Sequence, residues 1–160
     1  YPTIYFKYLM AQIKFLQLST KNILKQIKVY IDDSPYKELL NLKGISYINL
    51  SCILGETGNI KRFYSAKAYV KYCGLDVDVS QSGKTNKINR YISKKGSKIL
   101  RTVYYNMALG SLNKQIWPEN NKYKIFYDRL KSKGKHARQC LCAVARKIAT
   151  DVYYKINGLD

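Results

Sequence analysis

The chain has 160 residues, which is enough for one compact domain or two small ones. It carries 29 Lys and Arg against 10 Asp and Glu, a formal net charge of +19, while 46% of its residues are hydrophobic. This balance excludes an acidic solvating chain and most disordered tails, and it predicts a folded protein that binds a polyanion. No stretch approaches the roughly 20 apolar residues of a membrane span, and no basic leader indicates a signal peptide, so we expect a cytoplasmic protein without a membrane partner.

The positive charge is concentrated in the second part of the chain. Residues 1–60 carry seven basic and four acidic side chains, whereas residues 61–160 carry 22 and six. Residues 84–101 and 129–147 contain no acid at all, and two such runs in one small domain favour a nucleic-acid surface over an ordinary solvated face. The candidate binding residues in these runs are Lys84, Lys87, Arg90, Lys94, Lys95, Lys98, Arg101, Lys133, Lys135, Arg138 and Arg146.

Residues 4–31 are predicted to form one long helix of coiled-coil type. The positions of a heptad seam, spaced alternately by three and four, are Phe6, Leu9, Ile13, Leu16, Thr20, Ile23, Ile27 and Tyr30. This seam needs a partner, which is either another helix of this chain or a second protomer, and an ordinary bundle helix remains the alternative. We place a domain boundary after this helix, with a linker at 1–33 and a second domain at 34–160.

The second domain begins with a helix-hairpin-helix-like pattern. Ser34 followed by Pro35 predicts the cap and first turn of a short helix, and another helix follows the Gly44 turn and reaches about Leu54. Backbone amides at such a turn can hold a DNA phosphate, so Lys43 and Gly44 are candidate contacts. The same pattern also occurs in any helical hairpin that has glycine in its turn.

The remainder is predicted to be mainly α-helical. After a loop at Gly55 to Gly58, we expect Ile60, Phe63 and Tyr64 to return to the core. Residues 74–91 are polar and alternate around Val77 and Val79, which predicts a loop or a small hairpin. Periodicity and capping residues predict helices at 66–73, 97–113, 122–131 and 136–156.

Four cysteines and one polar segment are the chemical candidates. Cys52, Cys73, Cys140 and Cys142 lack the spacing of a zinc site, so we interpret them as small, mostly buried thiols in a reducing cytosol. Two hydroxyls, Ser80 and Ser82, immediately precede the first acid-free run, and a serine that attacks a phosphodiester needs such positive surroundings. From chemistry alone, a Ser-Gly pair in a loop is more often a simple turn.

An ordered set of motifs over residues 35–155 is more specific. The motifs include Leu42-Lys43-Gly44-Ile45, Gly55-Glu56-Thr57-Gly58-Asn59-Ile60, Tyr72-Cys73-Gly74-Leu75, Gln81-Ser82-Gly83, Ser93-Lys94-Lys95-Gly96-Ser97 and Ala143-x-Ala145-Arg146-Lys147. Together they resemble the C-terminal serine domain of transposases of the insertion-sequence one-ten family, the bridge-RNA-guided recombinases.

The resemblance implies a function and a site. Ser82 would attack a DNA phosphate to form a covalent phosphoserine link, with Ser80 as the fallback. DNA, a guide RNA and further copies of the chain would be the partners, in a prokaryotic cytoplasm at the nucleoid. In this family Mg²⁺ is held by an acidic RuvC-like domain, which this sequence lacks, so we expect no metal site in the chain and no activity from it alone.

Two other functions stay open. One is a non-catalytic DNA- or RNA-binding module from a truncated element, which would grip nucleic acid through its basic faces. The other is a helix-hairpin-helix accessory protein of DNA repair.

Overall fold

A computed structural model describes residues 2–42, 44–82, 85–113 and 121–159, with Pro2 and residues 78–91 described as backbone only. The elements within these ranges are mainly helical, as predicted. The α-helices are α1 (Pro2–Asp32), α2 (Tyr47–Thr57), α3 (Ala66–Tyr72), α4 (Lys98–Gly110), α5 (Lys122–Ser132) and α6 (Ala137–Asn157). Two short 3-10 helices (Pro35–Asn41 and Ile60–Arg62) and two strands, β1 (Val77–Ser82) and β2 (Thr85–Ile92), complete the described part.

Helix α6 is the centre of the core. It packs against α3, α4 and α5 and also contacts β2. Its apolar residues recur at steps of three and four and therefore share one face, which is buried. The buried residues of that face include Leu141, Val144, Ala145, Ile148 and Val152. Helix α4 faces α6 with the same spacing, through Leu100, Val103, Tyr104 and Met107.

Helix α1 confirms the predicted long helix, but only its C-terminal end joins the core. Ile31 is buried, and Ile27 packs partly against the core cluster. The earlier seam residues are exposed, from Leu9 at 37% to Phe6 at 63%. No described element of the chain therefore covers the N-terminal part of the seam. The division into domains at residues 33 and 34 stays a prediction.

Side-chain caps explain two of the helix starts. The Ser65 hydroxyl accepts a hydrogen bond from the Ala68 amide, and the Ser97 hydroxyl accepts one from the Leu100 amide, both at 3.2 Å. Ser34 is the N-cap residue and Pro35 lies in the first turn, as predicted, but the Ser34 hydroxyl makes no side-chain cap and donates to the Ile31 carbonyl of the preceding helix at 2.8 Å. The element that follows Ser34 is a 3-10 helix.

The expectation that Tyr64 returns to the core is also wrong. Ile60 is fully buried, and Phe63 packs against the core cluster. Tyr64, by contrast, is 93% exposed. The chain passes the core at Phe63 and turns outward for one residue before the Ser65 cap.

A small polar network lies inside the core. The Tyr69 hydroxyl is 2.8 Å from the Tyr104 hydroxyl and 3.0 Å from Thr57 Oγ1, and none of the three side chains is more than 1% exposed. Mutual hydrogen bonds satisfy these groups where water cannot reach. Burial raises the pKa of the neighbouring Cys73 thiol to about 12, and burial also raises the pKa of Tyr104.

The raised pKa of Cys73 predicts a loss of stability in alkali. The thiol stays protonated in the folded chain up to a higher pH than in the unfolded chain, whose thiol pKa is 9.0. The contribution of the protonated thiol to the free energy of unfolding is therefore complete below pH 9 and is lost as the pH rises toward 12. From pH 8 to pH 10, we expect the free energy of unfolding of the wild type, measured with urea, to fall by about 1 kcal/mol more than that of Cys73→Ala. Equal losses in the two proteins would contradict this assignment.

None of the helices within the described ranges combines the length and the apolar character that a bilayer-spanning helix requires.

Candidate nucleic-acid interface

Both candidate serines lie on β1, which pairs with β2 in antiparallel fashion. Ser80 is opposite Lys87, and Ser82 is opposite Thr85. Because residues directly opposite each other share a face and alternate residues of a strand return to it, Ser80, Ser82 and Lys87 occupy one face of this sheet. Arg90 lies between Ile88 and Ile92, where the register of the two strands shifts.

The two strands are tied together where they leave the core. The Ser93 amide donates to the Asp76 carbonyl at 2.8 Å, and the Ser93 hydroxyl donates to the Asp76 carboxylate. A few residues further on, the Ser97 amide donates to the Tyr72 carbonyl at 2.8 Å. These bonds join residues 71–76 to residues 93–97, and we call these two segments the hairpin base. They fix the point from which the strands project.

Two glycines allow the segments of the hairpin base to approach closely. A Cβ atom on Gly96 would lie 2.2 Å from the Tyr72 carbonyl oxygen and 2.7 Å from the Gly74 nitrogen. Gly74 has φ +66°, a conformation that residues with a side chain rarely adopt. The backbone of Lys94 is also left-handed, with φ 56°, and its carbonyl accepts a 3.1 Å hydrogen bond from Arg101 Nη1.

Helix α2 is hydrogen-bonded to both segments of the hairpin base. The Ser97 hydroxyl donates to Glu56 Oε2 at 2.6 Å, and the Tyr72 hydroxyl donates to the Glu56 carbonyl at 3.1 Å. The motifs and the charge pattern do not predict Glu56 and Asp76 as positioning residues, because their serine partners are distant in the sequence.

The two acid-free runs meet beside this base. The Lys94 ammonium is close enough to the Cys142 thiol on α6 to oppose the burial that raises its pKa. Arg138 and Arg146 are four residues before and after Cys142, so all three share one face of α6. Helix α4, which begins at Lys98 in the first run, packs against α6, which carries these two arginines of the second run.

The other described cations of these runs face solvent. Lys95, Lys98, Lys133, Lys135 and Arg138 are exposed, and Arg101 and Arg146 are half-buried. Among the described residues, the three ion pairs are Lys37–Asp32, Lys122–Asp151 and Lys124–Asp128. None of them uses a candidate binding residue, so the charge of the surface around Lys94, Lys95, Lys98, Arg138 and Arg146 is not neutralised within the described part of the chain. We call this surface the basic face.

A second group of cations surrounds an aromatic ring between α5 and α6. Arg129 and Lys147 each lie 5.2 Å from the centroid of the Phe126 ring. At the start of α6, His136 Nδ1 accepts a hydrogen bond from the Arg138 amide at 3.3 Å, so the lone histidine is a helix cap. Lys133 and Lys135 lie in the turn just before it.

The helix-hairpin-helix-like pattern around Gly44 stays a prediction, and the structure describes the side of the turn that leads into α2. Gly44 has φ 85°, and α2 begins three residues later. The Ser46 hydroxyl accepts from the Asn49 amide at 3.2 Å, and Asn49 Nδ2 donates to the Gly44 carbonyl at 3.4 Å. One amide of the proposed phosphate-binding turn is therefore already occupied by a side-chain cap.

Six of the predicted site residues lie outside the part of the chain whose side chains the structure describes. Lys43 and Lys84 lie outside the described residues, and Ser80, Ser82, Lys87 and Arg90 belong to the part described as backbone. Their roles stay predictions. Across the described ranges, no group of three or more His, Cys, Asp or Glu is placed to hold a metal ion.

No curated protein sequence matches this chain. A family model described as "Transposase IS116/IS110/IS902 family" matches residues 36–124, which is more than half of the chain. The matched stretch contains α2, α3, both strands and α4, and therefore the whole hairpin base. The chain accordingly belongs to the IS116/IS110/IS902 transposase family, as the resemblance of its motifs to insertion-sequence transposases predicts.

Proposed function

We propose that this chain is the serine-bearing, nucleic-acid-binding portion of an RNA-guided DNA transposase, and that Ser82 is its nucleophile. The observation that supports this most is the meeting of the two acid-free runs at the hairpin base. A polyanionic strand lying on the basic face would pass beside the strands that carry Ser80 and Ser82. Family membership adds DNA as the substrate.

The proposed reaction is a reversible phosphoryl transfer. The Ser82 oxygen forms a bond to the phosphorus of one DNA linkage while the bond from phosphorus to a sugar oxygen breaks. The serine proton leaves to solvent, and the departing sugar oxygen gains one. A sugar hydroxyl of the exchanged strand then attacks the phosphoserine, which restores both a phosphodiester and the serine hydroxyl. Nearby cations stabilise the charge that develops on the phosphoryl oxygens.

The described residues do not fit a resident Mg²⁺ site. Glu56 and Asp76 are each engaged by a serine of the hairpin base, and no carboxylate cluster lies among the described residues. We therefore derive no metal-dependent step from this chain. Mg²⁺ remains an expectation for the acidic RuvC-like domain that the family resemblance implies.

The exposed seam of α1 supports self-association. Ile13, Leu16 and Ile23 are between 47% and 61% exposed, which is unusual for a repeating apolar stripe. A second copy of the chain would cover this stripe as a coiled coil. The guide RNA would supply sequence choice through base pairing, while the protein holds backbone and shape.

Covalent trapping tests the nucleophile. The chain, joined to its RuvC-like domain and supplied with its RNA, Mg²⁺ and labelled DNA, should give a protein–DNA adduct that survives denaturing gel electrophoresis. Ser82→Ala should abolish the adduct, because no other group on the protein then bonds to phosphorus, whereas Ser80→Ala should retain it. Ser93→Ala serves as a control at the hairpin base.

Two outcomes would contradict the proposal. Trapping that survives Ser82→Ala but not Ser80→Ala would move the role to Ser80. Binding of DNA or RNA without any adduct, under conditions in which the RuvC-like domain binds its metal, would favour the non-catalytic module.

A further inference from the structure

The loop between α2 and α3 exposes an aromatic ring that the fold does not use. Tyr64 is 93% exposed, more than any other large apolar or aromatic side chain of the described residues. Its neighbour Phe63 performs the packing, with ring centroids 5.2 Å from Tyr69 and 5.1 Å from Tyr72. Tyr64 therefore contributes little to the core, although a tyrosine in water leaves a large apolar surface exposed.

The backbone that carries Tyr64 is held in place on both sides. Before it, Ile60 is completely buried, and the Phe63 carbonyl accepts a 2.9 Å hydrogen bond from the Tyr153 hydroxyl of α6. After it, Ser65 caps α3. A ring presented on an ordered loop loses little backbone entropy when a ligand binds, and this raises the affinity that stacking can supply.

The chain segment that carries this ring is cationic. Residues 57–75 contain no acid. The Arg62 guanidinium lies 4.7 Å from the ring centroids of both Phe63 and Tyr72, and Lys67 and Lys71, four residues apart, share one face of α3. The exposed cations of this stretch are Lys61, Arg62, Lys67 and Lys71. An exposed aromatic ring in an acid-free segment with four exposed cations is suited to a nucleotide, whose base stacks while its phosphates are neutralised.

We propose that Tyr64 stacks on an unpaired base of a nucleic-acid strand, with Arg62, Lys67 and Lys71 beside the phosphates of that strand. This inference rests on the nucleic-acid binding proposed above and adds a site that lies apart from the serines. The base must be unpaired, because the faces of bases inside a duplex are already covered by their neighbours. RNA and DNA share this chemistry, so the experiment has an arm for each.

The test measures binding of short strands to the full chain. Fluorescence anisotropy at one salt concentration would compare single-stranded oligo-uridine RNA, single-stranded oligo-thymidine DNA and a DNA duplex. Tyr64→Ala should weaken binding of at least one single strand about tenfold and leave duplex affinity within about twofold. Tyr64→Trp should restore the single-strand affinity. Which single strand is affected more identifies the natural ligand as RNA or DNA.

Matched controls separate stacking from folding and from charge. Tyr5 on α1 is 65% exposed and lies off the heptad seam, so Tyr5→Ala removes a similar ring without an expected effect. A single strand containing 2-aminopurine should lose emission when it binds the wild type and keep it with Tyr64→Ala, because stacking quenches this base.

The outcomes for the two proposals are distinguishable. Equal single-strand affinity of wild type and Tyr64→Ala, or an equal loss for single strand and duplex, would overturn the stacking role while leaving the basic face as a binding surface. Failure of the wild type to bind any of the three probes would overturn the stacking role together with the nucleic-acid binding on which it rests.

Discussion

Replacing Gly96 with alanine is expected to destabilise the fold by about 3 kcal/mol or more, the largest stability effect that the structure predicts for one added methyl group. The new Cβ would lie 2.2 Å from the Tyr72 carbonyl oxygen and 2.9 Å from the Lys71 carbonyl oxygen. Both are backbone atoms at the end of α3, so neither can turn aside as a flexible side chain would. The segments of the hairpin base would have to separate.

Thermal and urea unfolding followed by circular dichroism measure this effect. Gly55→Ala is the matched control, because no atom lies within 4 Å of its added Cβ and the residue is inside α2. There, alanine should stabilise the protein by about 0.5–1 kcal/mol, since it has the higher helix propensity. If the free energy of unfolding of Gly96→Ala is within about 1 kcal/mol of the wild-type value, residues 71–76 and 93–97 do not approach each other as closely as described.

Nucleic-acid affinity is expected to fall about a thousandfold between 50 and 200 mM salt. Each phosphate neutralised by Lys or Arg releases condensed counterions. About six such contacts give a slope near −5 when the logarithm of the affinity is plotted against the logarithm of the salt concentration. The unneutralised cations of the basic face, with Lys133 and Lys135 beside it, provide that number of contacts. Anisotropy titrations of labelled duplex over this salt range measure the slope.

Variants of equal charge change locate the contacts. Changing Lys94, Lys95 and Arg138 together to Gln should reduce the slope by about three. The control changes Lys7, Lys14 and Lys21 on α1 to Gln, removing the same charge away from the basic face. If both triple variants lower the slope equally, binding depends on net charge and not on this surface. A flat salt response of the wild type would contradict the basic face altogether.

Local pattern is sufficient to predict most of the helices. The spacing of Leu141, Val144, Ile148 and Val152 predicts α6, and Ser65 fixes the start of α3, because periodicity and capping act over a few residues. The 3-10 helix after Ser34 and the exposure of Tyr64 are not predictable in this way. Both depend on how neighbouring elements pack. Because Phe63 and Tyr64 are adjacent aromatic residues, the local sequence does not indicate which of the two rings faces solvent.

The cations of the interface can be predicted from the sequence, but their arrangement in one surface depends on tertiary contacts. Acid-free runs predict the residues, but no local rule predicts that α4, which begins in the first run, packs against α6, which begins in the second. The same is true of the bond between Glu56 and Ser97. Long-range contacts of this kind convert two basic runs into one surface beside the strands that carry the serines.

Mass spectrometry of the trapped adduct tests the central proposal most directly. Trypsin should release residues 72–84 as one peptide, which contains both Ser80 and Ser82. After nuclease digestion, fragmentation should place a nucleotide phosphate on Ser82 and leave Ser80 unmodified. A nucleotide on any other residue, or an unmodified 72–84 peptide from the purified protein–DNA adduct, would contradict the account.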